Sequence, residues 1–438
     1  MLHRLVIQLA RLGDLLQTLP AIASLRGRYP DEELDLLCAK PLVSIGSFFP
    51  GVRHIFPWDG NEWGRIAKSW SPKGGNALSQ ATDCLNKYQL NAYSLVYNLN
   101  DHPRAVIAAH LFANDVIGPG CQGPLSEIVP DWVKYLKIVG AHRGRNRVHL
   151  ADAFCGVCGV KPPLVVPTFQ LREIDWPTSL NSFRDGNGVC VALVLGSGDA
   201  DRRVPLRMWE EWICTFLTAC PDGRVMLVGG GGERELTYTL LDRIPSRYVG
   251  QIWDACGQTS LMQLANILSH CSWVLGSDTG PLHLGVACGA KVQGFYFSRA
   301  RVHETGPYGH GHWVWQAEQT VKHEVLGVWG ESEEFRHDAT CKGQNVEEGI
   351  KPEYWPVSES VELLLTESCS VIPDGWSLWS SQQDDWGAYF IPYTDPNGES
   401  TGYREQIWEN LQSENINWDS VLELMSLSGS SHVLERSL

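Results

Sequence analysis

The sequence predicts an α/β protein made of two successive strand-and-helix units and a carboxy-terminal extension. Short apolar runs alternate with helical periodicity twice over. Between the two series lies VKPPLVVPTFQLREIDWPTS, residues 160–179, where four prolines permit neither a long helix nor a central strand. Beyond about residue 320 the alternation fades into an acidic, tryptophan-rich stretch. A chain of 438 residues accommodates this plan, since domains commonly run to about 100–200 residues.

In order, Arg4–Leu9 reads as a buried strand, Ala10–Gly13 as a loop and Asp14 to about Arg28 as a helix, the start of a Rossmann-like unit. Strand signals follow at Leu34–Cys38, His54–Phe56 and Ser94–Leu99, with helices near Ser79–Lys87, Ala105–Phe112 and Val148–Cys158. After the prolines, strands are expected at Val189–Leu195, Arg224–Val228, Trp273–Leu275 and Val292–Phe295. Helices are expected at Leu206–Ala219, Glu233–Ile244 and Leu261–Ser269, and from His283 onward. Each unit should hold an open parallel sheet. The expected division is a first domain over 1–165, a linker over 166–186, a second domain over 187–325 and the extension over 326–438.

Within the extension, Val357–Leu365 and Glu405–Leu424 read as helices, and WSLWSSQQDDWGAYFIPYTDPNGES, residues 376–400, as an aromatic-studded loop. Seven of the 18 tryptophans fall after residue 320, and disordered tails are poor in aromatics, so an ordered appendage is expected.

Composition excludes several classes. A hydrophobic fraction of 43% with 19% charged residues is that of a globular protein. No apolar run reaches the roughly 18–20 residues that span a bilayer. Met1–Ala10, with Arg4 inside its apolar run, does not read as a signal peptide. Cytoplasmic residence is therefore expected, with peripheral contact at the inner membrane left open. The 13 cysteines are scattered and odd in number, unlike a disulfide framework. Cys155 and Cys158 have the spacing of half a zinc or redox site, but no second pair lies nearby, so packing is preferred and no metal ligands are expected. The net charge of −15 is localised: 22 acidic and 6 basic residues lie from Val321 onward, leaving 28 acids and 29 bases before it. The first 320 residues can offer positive clefts to an anionic ligand, while nucleic acid is not an expected partner.

Four motifs carry chemistry. Leu275–His283, LGSDTGPLH, runs from a short strand into a helix, whose free amino-terminal N–H groups suit a diphosphate. Gly276 and Gly280 let the backbone approach an anion, and Thr279 and His283 can donate hydrogen bonds. The same letters also suit a capped helix with Asp278 as N-cap and Pro281 at its first position. In Arg11-Leu12-Gly13-Asp14, Gly13 allows a tight turn that leaves Asp14 at the top of the sheet. There its carboxylate can act as general base, or be an ordinary N-cap. In GSGDADRRVP, residues 196–205, Ser197 opens a loop and Arg202 or Arg203 can hold phosphate and offset leaving-group charge. Gly229–Gly232 precedes Glu233 and Glu235, either of which can accept from a ribose or simply favour a helix's first turn. The spacing G-x-G-x-x-G of a nicotinamide site is absent.

Taken together, RLGDLLQTLP near 11, GS…RRVPLRMWEEW near 196, VMLVGGGGERE near 225, CGQTSLMQLANILSHCSWVLGSDTGPLHLGVACGAKV from 256 and GPYGHG near 306 resemble glycosyltransferase family 9, the ADP-heptose:lipopolysaccharide heptosyltransferases. The resemblance covers about residues 1–320. It implies a GT-B fold, with two Rossmann-like domains whose parallel sheets face a cleft, and inverting transfer of a heptose from ADP-heptose, with no cofactor. It implies Asp14 as base and Arg202, in a position usually lysine, as the cation on the leaving diphosphate. It implies that Asp278, Thr279, Gly280 and His283 hold the donor diphosphate, and Ser197, Glu233 and Pro281 are expected as donor contacts beside them. Acceptor contacts would come from Arg11, Asp101 and Arg104, and the acceptor would be a lipopolysaccharide-core glycan or a glycoprotein. Val204 stands where the family usually has tryptophan, and Asp101-His102-Pro103-Arg104 replaces the commoner acceptor-loop pattern. The extension lies outside the family core; some members assemble through such segments, so homo-oligomerisation is a further expectation. Family members that bind iron use clustered cysteines, which Cys341 and Cys369 do not provide. Another nucleotide-sugar donor, or a non-catalytic scaffold that binds a sugar nucleotide, are the alternatives.

Overall fold

The structure, a computed structural model, describes residues 2–69, 75–88, 93–120, 131–184, 186–317, 356–394, 400–413 and 416–425. The first half holds a five-stranded, wholly parallel sheet in the order β3-β2-β1-β4-β5. Its strands are β1 (His3–Gln8), β2 (Glu33–Ala39), β3 (Ile55–Trp58), β4 (Leu95–Asn98) and β5 (Val116–Ile117). Central β1 is apolar on both faces because helices cover both, and Leu5, Val6 and Ile7 are fully buried.

The expected helix from Asp14 is two helices, Leu12–Leu16 and Leu19–Arg28. Pro20 sits in the first turn of the second, where a missing N–H costs nothing, so the chain restarts there instead of continuing. Asp14 is accordingly the third helical residue and not the N-cap, which is Arg11.

The second half carries β6 (Cys190–Val194), β7 (Arg224–Val228), β8 (Ile252–Asp254), β9 (Trp273–Gly276), β10 (Lys291–Tyr296) and β11 (Trp313–Ala317). The extension completes its sheet. Residues read from sequence as a loop form the antiparallel hairpin β12 (Trp376–Asp384) and β13 (Gly387–Pro392), giving the order β13-β12-β11-β10-β9-β6-β7-β8. This sheet is mixed, not parallel throughout. The strand signal is hidden because serine and glutamine interrupt the apolar positions, yet Trp376 and Leu378 both point into the core. The turn is fixed by Asp384 accepting from the Trp386 N–H at 2.8 Å and by Gly387 in the left-handed region at φ +102°. The expected helix Glu405–Leu424 is likewise two, Ser400–Gln412 and Trp418–Leu424.

A continuous apolar core runs from the first half through Phe169, Trp176 and Phe183 of the proline-rich segment to the second half and the extension. Cys155 and Cys158 are buried in it as free thiols. Among the described residues no helix is long and apolar enough to cross a membrane. Cys341 lies outside the described residues.

Candidate active site

The carboxyl ends of β1, β6, β7, β9 and β10 open on one cleft of about 630 Å³ between the halves, the place where open α/β sheets bind ligands. That size lies within the ordinary range of about 300–1,000 Å³ for small-molecule sites.

On the first-half wall, Asp14 Oδ2 accepts from the Arg11 N–H at 3.2 Å, which anchors the carboxylate at the start of its short helix. Burial raises the Asp14 pKa, and the negative charge of Asp278 adds to this. The Arg11 N–H and the field of His283 oppose it, and the net direction is upward. Arg11 and Gln17 line the same wall, and the Gln17 Oε1 is buried without a hydrogen-bond partner.

Opposite Asp14 stands the helix Gly280–Ala287, with Thr279 as N-cap, Gly280 first and Pro281 second. The Thr279 hydroxyl donates to the Ser277 carbonyl at 3.2 Å and does not cap the helix; Pro281 has no N–H and the Leu282 N–H donates to the Thr279 carbonyl at 3.1 Å, so the Gly280 N–H is the first-turn donor left at the helix end. Asp278 is therefore not the N-cap. Its two oxygens meet Arg202 Nη1 at 3.4 Å and His283 Nε2 at 3.3 Å, so it holds the cation and the imidazole together at the mouth of the helix. Arg202 also meets Asp199 through Nη2 at 3.1 Å.

The two walls touch through glycine. A Cβ on Gly280 would fall 2.9 Å from Leu12 Cβ, and one on Gly13 would fall 3.3 Å from His283 Cδ2. The amino ends of the two helices thus press on each other, which brings Asp14 to the anion-binding end of Gly280–Ala287.

Ser197, Glu233, Thr279, Gly280, Pro281 and His283 all line the cleft with Asp278 and Arg202. Glu233 folds beneath the loop at 196, where a Cβ on Gly196 would lie 2.8 Å from its carboxyl carbon. Glu235 is not part of the wall. Asp101 and Arg104 are exposed and also stand outside it. The chain leaves β4 through His102, whose ring caps the helix Pro103–Phe112 by accepting from the Arg104 N–H at 3.2 Å. Val204 is buried in the second half's core.

Sequence reasoning missed Arg143, Arg299, Glu304 and Thr305, which also line the cleft. Arg143 Nε donates to Glu304 Oε2 at 2.6 Å across 161 residues of sequence. Only the placement of Glu304 just before GPYGHG hinted at it.

Residues 145–325 match the sequence family described as glycosyltransferase family 9 (heptosyltransferase). No curated protein matches the chain by sequence. Among solved structures, a glycosyltransferase family 9 protein from Veillonella parvula superposes with a TM-score of 0.62 at 18% identity, covering 84% of this chain and 98% of its own. The ADP-heptose lipopolysaccharide heptosyltransferase II of E. coli gives 0.51 at 15%, covering 70% and 88%. E. coli heptosyltransferase WaaC with ADP gives 0.50 at 16%, covering 70% and 91%. At these identities the likeness is one of fold, the GT-B glycosyltransferase architecture.

Proposed function

We propose, from the match of residues 145–325 to glycosyltransferase family 9, that this chain transfers a heptose from ADP-heptose to a hydroxyl of a bacterial glycan or glycoprotein, with inversion. The observation that carries the proposal is the contact of the two helix starts at Gly13 and Gly280. It puts one carboxylate, Asp14, across a single cleft from the amino end of Gly280–Ala287.

The chemistry follows from the placement. The donor diphosphate lies against the amino end of Gly280–Ala287, at the Gly280 N–H, with Arg202 and His283 beside it. Glu233, beneath the loop that opens at Gly196, accepts from ribose hydroxyls. The acceptor hydroxyl approaches from the first-half wall and gives its proton to Asp14 as its oxygen bonds to the anomeric carbon. The bond from that carbon to the diphosphate oxygen breaks on the opposite face, so the configuration inverts. Charge growing on the leaving ADP meets the helix end and the guanidinium, which are already in position. On this reading the reaction takes place in the cytoplasm, with an acceptor presented there or at the inner membrane face.

The test is to incubate the full chain with ADP-heptose and a lipopolysaccharide-core or protein acceptor and to follow ADP release and product mass. Asp14→Ala should lower the rate by about 10²–10⁴-fold, the usual contribution of a positioned base. Equal transfer by both proteins would remove Asp14 from the mechanism. Transfer from a UDP-sugar but not from ADP-heptose, in a donor panel, would overturn the donor assignment.

A further inference from the structure

One corner of the cleft is not used by the groups that hold the diphosphate or take the proton. Arg143, in the short turn Arg143–Arg145 of the first half, donates to Glu304 of the short helix Val302–Thr305 in the second. The carboxylate of Glu304 is buried, whereas the guanidinium is partly open to the cleft, with side-chain exposures of 10% and 36%. Arg143 binds one carboxylate oxygen of Glu304, Oε2, and the charge of Arg301 also acts on that carboxylate. Next to them Thr305 is only 7% exposed and lines the cleft, yet its hydroxyl has no hydrogen-bond partner among the described residues. Its main chain is held in place, because the Tyr296 hydroxyl donates to the Thr305 carbonyl at 2.6 Å.

A buried hydroxyl without a partner costs free energy unless a ligand satisfies it. The charge of this corner says which ligand. An unpaired arginine would suit a phosphate, but the Arg143 guanidinium is already held by Glu304, whose carboxylate also offsets the charge of Arg301. The corner offers guanidinium donors, a carboxylate acceptor and a hydroxyl that can do either. That set suits neutral hydroxyl groups. Its position suits the transferred sugar, because the carboxylates of Asp14 and Asp278, the base and the diphosphate end, both act on the Arg143 guanidinium.

We propose that Arg143, Glu304 and Thr305 form a subsite for the hydroxyl groups of the transferred sugar, and that this subsite distinguishes a polyhydroxylated donor from a bare nucleoside diphosphate or a shorter sugar. The inference rests on the functional reading above and adds to it which residues read the sugar. Since Arg143 and Glu304 come from opposite halves, the subsite is complete only when the halves are in contact.

Calorimetric titration of the full chain with ADP and with ADP-heptose tests it without requiring turnover. The wild type should bind ADP-heptose more tightly than ADP. Glu304→Gln and Thr305→Val should each weaken ADP-heptose binding, by about tenfold for the carboxylate, while ADP affinity stays within about twofold. Thr305→Ser, which keeps the hydroxyl, should restore the wild-type preference. In turnover, Glu304→Gln should also narrow the preference for heptose over an ADP-linked hexose of the same ring configuration that lacks the terminal hydroxymethyl group. Equal losses for ADP and ADP-heptose would identify Arg143–Glu304 as a link between the halves and overturn the subsite, as would no change in either. ADP binding with no gain from the heptose in the wild type would overturn the subsite alone. Failure to bind ADP or ADP-heptose at all would overturn the functional reading and the subsite with it.

Discussion

The indole of Trp408, in the extension's helix Ser400–Gln412, lies 4.4 Å from that of Trp132 in the helix Asp131–Ala141 of the first half, centroid to centroid. Both rings are buried in the core that joins the two halves. Meanwhile β12 pairs with β11 of the second half. The extension therefore touches both halves and contributes to their shared interior, so an acidic, low-periodicity stretch of sequence is structurally part of the enzyme.

Trp408→Ala should accordingly destabilise the whole protein and not a detached tail. Emptying a fully buried tryptophan site typically costs about 3–5 kcal/mol. A denaturant titration should show a single transition moved to lower midpoint. An unchanged main transition would mean that the extension folds apart from the two halves.

Asp152 gives the joint a pH dependence. It sits fully buried in the helix Leu150–Val157, accepting from the Tyr308 hydroxyl at 2.8 Å and from the Ala388 N–H of β13 at 2.9 Å, with Arg404 and Asp384 also acting on it. Burial pushes its pKa up to about 8, against which Tyr308, Arg404 and the Ala388 N–H work only partly. In the unfolded chain an aspartate titrates near about 4. The folded state thus holds the extra proton between those values. Its contribution to stability is full below about pH 4 and is lost as pH rises toward about 8, then stays flat. Asp152→Asn can present an oxygen to the Ala388 N–H and its amide to Tyr308, and it removes this titration. Thermal midpoints from pH 5 to 8 should fall less steeply in the variant; identical slopes would mean that Asp152 does not titrate there.

Gly280 is needed for the close approach of the two walls, not for an unusual backbone angle. Gly280→Ala would drive its Cβ to 2.9 Å from Leu12 Cβ and push the helix starts apart. kcat/KM should fall by about 10²-fold, the scale of a misplacement of about 1 Å at a reacting centre. Leu12→Ala in the same chain keeps Cβ but removes the Cδ2 and Cγ that would stand 2.9 and 3.0 Å away, so it should recover part of that loss, a coupling expected of groups in direct contact. A double variant no better than Gly280→Ala would place the cause elsewhere.

Some elements are legible because packing and local pattern agree. The helix Leu206–Ala219, the strand Arg224–Val228 and the helix Leu261–Ser269 have the boundaries that periodicity predicts, and Ser260 with Gln263 forms a capping box at the last of these. Strand β11 goes unread because Trp313–Ala317 has too short an apolar run, and its identity depends on pairing with β10 and β12. The donor wall is legible because a helix amino end after a strand has a sequence pattern. The pair Arg143–Glu304 has none: each residue is an ordinary charged letter until the fold brings them within 2.6 Å.

With Asp14 as the proposed base, its raised pKa should set the acid limb of activity. A general base must be ionised, so kcat/KM should fall as pH drops through the Asp14 pKa in the free enzyme. Because burial and the negative charge of Asp278 raise that pKa, the limb should lie above the ordinary aspartate range of about 4. Asp278→Asn should keep the contacts to Arg202 and His283 in shape while removing one of the charges that raise it. The limb should then move to lower pH, even though Arg202 loses its charged partner and donor affinity changes. A pH profile of kcat/KM for both proteins checks the direction. A limb that moves upward in Asp278→Asn would show that another group, not Asp14, takes the proton.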